Sequence, residues 1–343
     1  MNGSLLKARY QPDPAAAPPS PVAETTQVPR RKIYLKSSRF ADAGFRYLML
    51  GCALSVLAIV VLIVRELLLR STLSLHAFGL KFFVKQVWDP VNGDFGALPF
   101  IYGTLVSSLL AVLLAVPLSV GVATFTTELC PRRLRAALSY VVELLAAIPS
   151  VIYGFWGVYF LIPFLRFYVE PFLAKYLGWT GLFGGPQLGM GMLAAGIILA
   201  IMIIPIITSI TREVMSAVPT QQREGVLALG ATRWEMIRVG VLRNARTGIM
   251  GAIILGLGRA LGETMAVTML IGNRPEIAKS LFAPGYSLAS VIANEFSEAA
   301  DDLYRSALVE IGLALFLITL VVNIVAQLMV WSITRGNAAR ATA

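Results

Sequence analysis

The chain has 343 residues, 57% of them hydrophobic and only 14% charged, with a formal net charge of +10. So little charge over so much apolar chain excludes a large soluble domain and describes an integral membrane protein. The positive balance does not mark a nucleic-acid binder either, because the Lys and Arg residues flank apolar windows and form no basic run interleaved with aromatics.

Residues 1–44 read as a disordered cytoplasmic tail, since Pro, Ala, Ser and Thr with scattered charge (PDPAAAPPSP) cannot bury enough apolar surface to order. The tail lacks the apolar core and small-residue cleavage site of a secretory signal. A first transmembrane helix is expected over residues 45–70, around the apolar window Tyr47–Val64. Residues 71–100 are expected to form an external segment, periplasmic if the chain is bacterial. Its Phe78, Phe82, Phe83 and Trp88 are expected in an aromatic belt at the membrane interface, and the turn-forming run DPVNGDFG closes it.

A core over residues 101–334 follows, then a cytoplasmic tail over 335–343. The core holds five more windows long enough to cross a bilayer: Leu105–Thr126, Val141–Phe164, Gly191–Ile210, Ile249–Gly272 and Ala307–Trp331. Three of them carry a proline, Pro117, Pro149 and Pro205, each towards the cytoplasmic side. A proline removes a backbone donor, so these positions are expected to kink helices near an inner gate. Asn323 and Gln327, four apart in the last window, can hydrogen-bond a neighbouring helix.

Six spans with the N-terminus inside leave 19 Lys and Arg in cytoplasmic segments and 9 outside. That asymmetry puts both termini in the cytoplasm. Cys52 and Cys130 then both lie near the reducing side, and no disulfide is expected. The lone His76 and the scattered carboxylates have no metal-ligand spacing, and no residues are set out for catalysis. No GxxxxGK[ST] phosphate loop occurs, so no cofactor is expected here and any ATP is bound by another chain.

The stretch from Arg223 to Gly272 is the most informative. It begins mixed polar, with six charged residues from Glu224 to Arg246, and becomes apolar and Gly-rich with Arg259 and Glu263 at the middle of its window. Those two stand four apart, on one face of an uninterrupted helix, where they can pair. Ionisable groups inside a membrane mark substrate paths, and Gly256, Gly258 and Gly262 leave the face small enough for a close approach. The same pair could instead simply hold two helices together.

The loop over residues 212–247 carries Glu224 and then, six and seven residues on, Gly230 and Ala231. This spacing resembles the EAA loop of permease subunits of ATP-binding-cassette importers. Gly225 and Val226 stand where the family has two alanines, and Arg243 where a proline follows Leu242. The stretches LLAAIPSVIYGFWG (Leu144–Gly157), LGLGRALGETMAV (Leu255–Val267), TMLIGN (Thr268–Asn273) and SVIANEFSEA (Ser290–Ala299) are similar to the phosphate-specific importers of that class. Among them MGMLAAGIILAIMIIPIITSI and the ANEF run are most similar to PstC-type permeases.

The resemblance implies an all-α permease of the type I importer fold with six spans, in a bacterial inner membrane. It implies a PstA-type permease as heterodimer partner, a PstB-type ATPase dimer that binds the ATP, and a PstS-type periplasmic phosphate-binding protein. It further implies that Glu224, Leu229, Gly230, Ala231 and Trp234 meet the ATPase, although Arg233 and Arg238 would equally suit anionic lipid headgroups. An ion-coupled anion transporter and a membrane scaffold or sensor remain the other readings of the residues.

Overall fold

The computed structural model describes residues 39–341. The tail expected over 1–44 therefore lies almost wholly outside the described residues. The chain divides within its first helix, after Ala58. In the first unit the described residues form the opening part of α1 (Arg39–Arg70), and its apolar side chains from Phe45 to Leu57 are exposed.

The second unit is helical almost throughout. After the end of α1 come α2 (Thr72–Phe78), α3 (Leu98–Leu129), α4 (Arg132–Ala147), α5 (Ser150–Thr180), α6 (Met192–Ser216) and α7 (Thr220–Ala228). Residues 233–261 form α8, with an opening turn, a π-helical stretch at Met236–Leu242 and an α-helix over Arg243–Leu261. Two short helices, α9 (Met265–Leu270) and α10 (Leu288–Glu295), precede α11 (Asp302–Ala341).

Five stretches among the described residues are long and apolar enough to cross a membrane: Ala43–Arg70, Leu98–Leu129, Ser150–Thr180, Met192–Ser216 and Asp302–Trp331. The sixth expected window, Ile249–Gly272, is not one helix. It is interrupted at Gly262, Glu263 and Thr264, where a poor helix former is followed by side chains that compete for backbone groups. The helix that holds its longer part, Arg243–Leu261, also carries three arginines, Arg243, Arg246 and Arg259. The window Val141–Phe164 is split as well. Pro149 forces Ile148 into extended backbone (ψ 128°), so α4 stops at Ala147 and α5 restarts at Ser150.

α6 is the centre of the bundle: two thirds of its apolar window is buried (67%), against 28% or less in the other four spans. Ala111 and Ala115 of α3 lie against Ala195, Leu199, Ile203 and Ile207 of α6, and Ala252 and Ala260 of α8 close the same cluster. Small residues on one side let large ones fill the gap, which is how membrane helices gain packing contacts.

The aromatics of the external segment are not a belt. Phe82 is wholly buried and Trp88 nearly so, in a cluster with Phe95, Phe100, Tyr286 and the first turns of α11. Trp88 meets the rings of Phe95 and Phe100 at 4.8 and 4.9 Å, and Tyr304 stacks on Phe95 at 5.3 Å. Trp88 Nε1 and the Tyr304 hydroxyl both donate to Glu295 Oε2, at 2.8 and 2.6 Å. The segment folds back because Asp89 and Asp94 exchange both backbone hydrogen bonds across DPVNG. The Asn92 side chain and amide donate to the Asp89 carboxylate, holding it below the usual range.

This aromatic cluster is joined to α3 by a backbone contact that tolerates no side chain. A Cβ on Gly103 would lie 2.1 Å from Tyr286 O, whereas one on Gly121 in the same helix would meet nothing within 4 Å. Gly103→Ala is therefore expected to cost on the order of 2 kcal/mol or more by overpacking, and Gly121→Ala to leave stability unchanged or slightly raised. Thermal unfolding of the two variants in the same detergent checks this.

Candidate functional site

Two places carry the residues that the sequence singles out. The first is the turn between α7 and α8. α7 starts at Thr220, directly after Pro219 in extended backbone, so Glu224 lies inside the helix and not at its start. Gly230 ends the turn at φ +83°, a left-handed conformation that favours glycine. Thr232 and Glu235 then form a capping box: Thr232 N donates to Glu235 Oε2 at 2.8 Å and Glu235 N to Thr232 Oγ1 at 3.3 Å.

The Thr232 amide, and then its hydroxyl, hold the Glu235 carboxylate below the ordinary Glu range. A depressed folded-state value means that this cap contributes above the unfolded Glu value. It is lost as pH falls through the folded one.

The turn exposes large apolar side chains. Leu229 is 89% and Trp234 64% exposed, with Ala231 half-buried between them. Directly behind, Met236, Ile237 and Val241 are buried against Ala123, Met215 and Val218, so one side of the hairpin is seated on the ends of α3 and α6. Asn244 Nδ2 donates to Gln222 Oε1 at 2.8 Å and ties α8 to α7.

An ion pair that the sequence does not reveal anchors the hairpin. Arg223 Nη2 lies 3.0 Å from Glu128 Oε1 and donates to Met215 O at 2.8 Å, and Nη1 donates to Val218 O. The two side chains are only 18% and 8% exposed. One guanidinium thus joins the ends of α3 and α6 to the first turn of α7. Its partner is 95 residues away in the sequence, and Arg223 looks there like one of several surface arginines. Glu143, similarly, is 3.0 Å from Arg212 and links α4 to α6.

The second place is the interruption after α8. Arg259 sits in the last turn of α8 and is exposed; Glu263 lies in the break and is half-buried. They do not share a helix face, and among the described residues no ion pair joins them. The helix that would align them ends at Leu261. Glu263 Oε1 instead accepts a long hydrogen bond from Ala266 N, 3.4 Å, at the start of α9.

The Tyr153 hydroxyl of α5 donates to Leu145 O at 2.8 Å. The stripe Leu255, Gly258, Arg259 and Gly262 is uncovered in this chain: a Cβ on Gly258 would meet nothing within 4 Å.

The three prolines fall into two kinds. Pro117 and Pro205 lie inside α3 and α6. They are at one level, since Ser119 Oγ donates to Ile204 O at 3.2 Å. Pro149 is not a kink within a helix but the cap of α5.

The profile of a family described as "Binding-protein-dependent transport system inner membrane component" matches residues 115–335. A protein of Mesorhizobium japonicum named "Phosphate transport system permease protein PstC" is 48% identical over 301 residues, 86% of this chain and 92% of its own length. One of the same name from Haemophilus influenzae is 46% identical, over 81% of this chain and 89% of its own. Among solved structures, a bacterial ABC transporter involved in import of the acidic polysaccharide alginate aligns with a TM-score of 0.60 at 17% identity, over 86% of this chain and 99% of that one. An inward-facing MetNI methionine ABC transporter aligns at 0.50 and 17%, over 68% and 94%. These two likenesses are of fold: the all-α architecture is that of an ABC transporter permease.

Removing one partner of the Arg223–Glu128 pair strands a nearly buried charge. Arg223→Met and Glu128→Leu are each expected to cost about 3 kcal/mol, and the double substitution clearly less than the sum. A double-mutant cycle on thermal unfolding checks this; additive losses would show that the pair does not act as a unit.

Proposed function

The chain belongs to the binding-protein-dependent transport family of multi-pass inner membrane components, and on that premise we propose that it is the PstC-type permease subunit of a type I phosphate importer. The observation that carries the coupling half of this reading is the clamped turn, with Leu229 and Trp234 exposed on a base fixed by Arg223. The substrate half rests on the phosphate permeases to which the chain is similar over most of its length.

In this reading both termini and the α7–α8 turn are cytoplasmic, and the turn docks on a PstB-type ATPase dimer. That dimer binds and hydrolyses the ATP; this chain binds no cofactor and performs no chemistry of its own. A PstA-type permease covers the open stripe around Arg259, and a PstS-type binding protein delivers phosphate from outside. Glu224, exposed on α7, faces the ATPase with Leu229, Gly230, Ala231 and Trp234.

The transmission is mechanical. Trp234 and Arg259 belong to one helical run, about 38 Å apart at 1.5 Å per residue, so displacement of the turn moves the far end of α8. Through Arg223 the same displacement reaches the ends of α3 and α6, whose prolines provide weak points at one level. Arg259 offers a planar guanidinium fork to phosphate oxygens as they pass. One more turn on α8 would bring Glu263 onto its face, where a carboxylate displaces the anion and resets the path.

Proteoliposomes holding both permeases and the ATPase are expected to take up phosphate on ATP addition, and those lacking this chain are not. Gly230→Val is expected to leave the complex assembled but to abolish uptake while hydrolysis continues, because valine resists φ +83°. Unchanged uptake by an assembled Gly230→Val complex would count against docking at the turn.

Arg259→Gln is expected to lower uptake roughly ten- to a hundredfold in assembled complexes, as loss of charged hydrogen bonds to the anion would. Arg259→Lys should recover little, because it keeps the charge and loses the fork. Full uptake by Arg259→Gln would remove Arg259 from the path.

A further inference from the structure

α11 meets α2 through a small polar face buried in apolar surroundings. Ser306 Oγ donates to Arg70 O at 2.9 Å and accepts from Ser74 N at 3.1 Å, so one hydroxyl fastens the corner between α1 and α2. Glu310 follows one helical turn later on the same face. It is 0% exposed, and neither carboxyl oxygen has a hydrogen-bond partner. The Ser74 hydroxyl, on the residue whose amide donates to Ser306, is likewise buried and without a hydrogen-bond partner. Ala307, Leu308, Ile311 and Ala314 of α11 lie in the apolar cluster next to it.

This burial is complete within the single chain. No partner subunit, lipid headgroup or bulk water reaches the carboxyl unless α2 and α11 separate. An ionised Glu310 would therefore need a cation from the chain itself, and among the described residues the neighbouring elements pair none with it. On the end of α1, Arg70 is largely exposed and paired with Glu66. His76 on α2 is exposed. On α10, Glu295 is engaged by Trp88 and Tyr304. On α11, Asp302 is exposed and Arg305 donates to Ala299 O. α8 meets α11 around Val322, Gln327 and Trp331, well beyond Glu310.

An ionised carboxyl can only accept hydrogen bonds, and one serine hydroxyl would leave its second oxygen bare in an apolar contact. A protonated carboxyl both donates and accepts, and it carries no charge to be buried.

We propose that Glu310 is a resident proton-binding site: its carboxyl is neutral in the folded protein and donates to Ser74 Oγ, latching α2 to α11. The ligand is a proton and not a metal ion, since a cation would require several more oxygen ligands than one carboxyl and one hydroxyl provide. The latch bears on the whole external segment, because the chain from Gly79 to Ala97 is carried between α2 and α3 and packs its aromatics on α11.

Infrared difference spectra of the lipid-reconstituted protein test this. At about pH 8, where ordinary carboxyls are ionised, the native protein is expected to show a carboxylic C=O band that Glu310→Gln lacks. Ser74→Ala is expected to shift that band to higher frequency, as the hydrogen bond is lost. Glu310→Gln, which mimics the neutral acid, is expected to melt within a few degrees of the native protein, and Glu310→Lys not to assemble. Should Glu310→Gln fail to insert, the Ser74→Ala shift alone decides. A native spectrum without the band, or a band that Ser74→Ala does not move, would overturn the proposal.

Discussion

The close contact of α3 with α6 is the constraint on which the other elements depend. In a bilayer the lipid tails are as apolar as leucine, so helices associate by packing and hydrogen bonding and not by escape from water. Ala111 and Ala115 on α3 allow the larger Leu199, Ile203 and Ile207 of α6 to interlock with them. Ala252 and Ala260 let α8 join the same seam. With these three helices in place, α5 and α9 cover one side of α6 through Tyr153, Leu161, Ala266 and Leu270. The apolar faces left over on α3, α5 and α11 are the ones a membrane or a second permease would cover.

A bundle with this many interruptions must still satisfy its backbone, because a carbonyl without a partner in hydrocarbon costs several kcal/mol. The side chains at the breaks serve that need. At the end of α3, Thr127 O accepts from Arg135. At the end of α4, Leu145 O accepts from the Tyr153 hydroxyl. At the end of α6, Met215 O and Val218 O accept from Arg223. Two of the three donors are cationic groups at C-terminal helix ends, where the helix dipole also favours positive charge. Arg135 and Arg223 thus close helix ends, so their removal would cost structure.

The apolar windows locate α1, α3, α6 and α11 in the sequence because each is a long apolar run, which Pro117 and Pro205 do not break. The turn at Gly230 is legible for the same local reason: a glycine with polar helical segments on both sides has few other uses. The break at Gly262 was hidden. Its glycine stands close after Gly256 and Gly258, which the helix absorbs, so glycine alone does not mark which of the three ends it. The split at Pro149 was visible as a proline, but whether a proline kinks a helix or starts one depends on the residue before it, and Ile148 goes extended. The burial of Trp88 and the Arg223–Glu128 pair rest on contacts 207 and 95 residues apart, for which no periodic pattern exists. Arg259 and Glu263 illustrate the hazard in the other direction: spacing of four implies a shared face only while the helix lasts.

In the proposed function the separation of Arg259 from Glu263 matters for passage of the anion. Were Arg259 and Glu263 on one continuous helix, their attraction would be permanent, and an incoming anion would have to compete with it at every step. The break at Gly262–Thr264 separates the two groups without moving either far along the chain. Glu263 is occupied only by a long bond to Ala266 N, which is weak enough to exchange. Arg259 meanwhile remains on the rigid part, joined by unbroken helix to the turn that carries Trp234. In the proposed function, a carboxylate at the break and a guanidinium on α8 would approach and part as α8 moves. The same two charges fixed four residues apart on a straight helix could only hold each other.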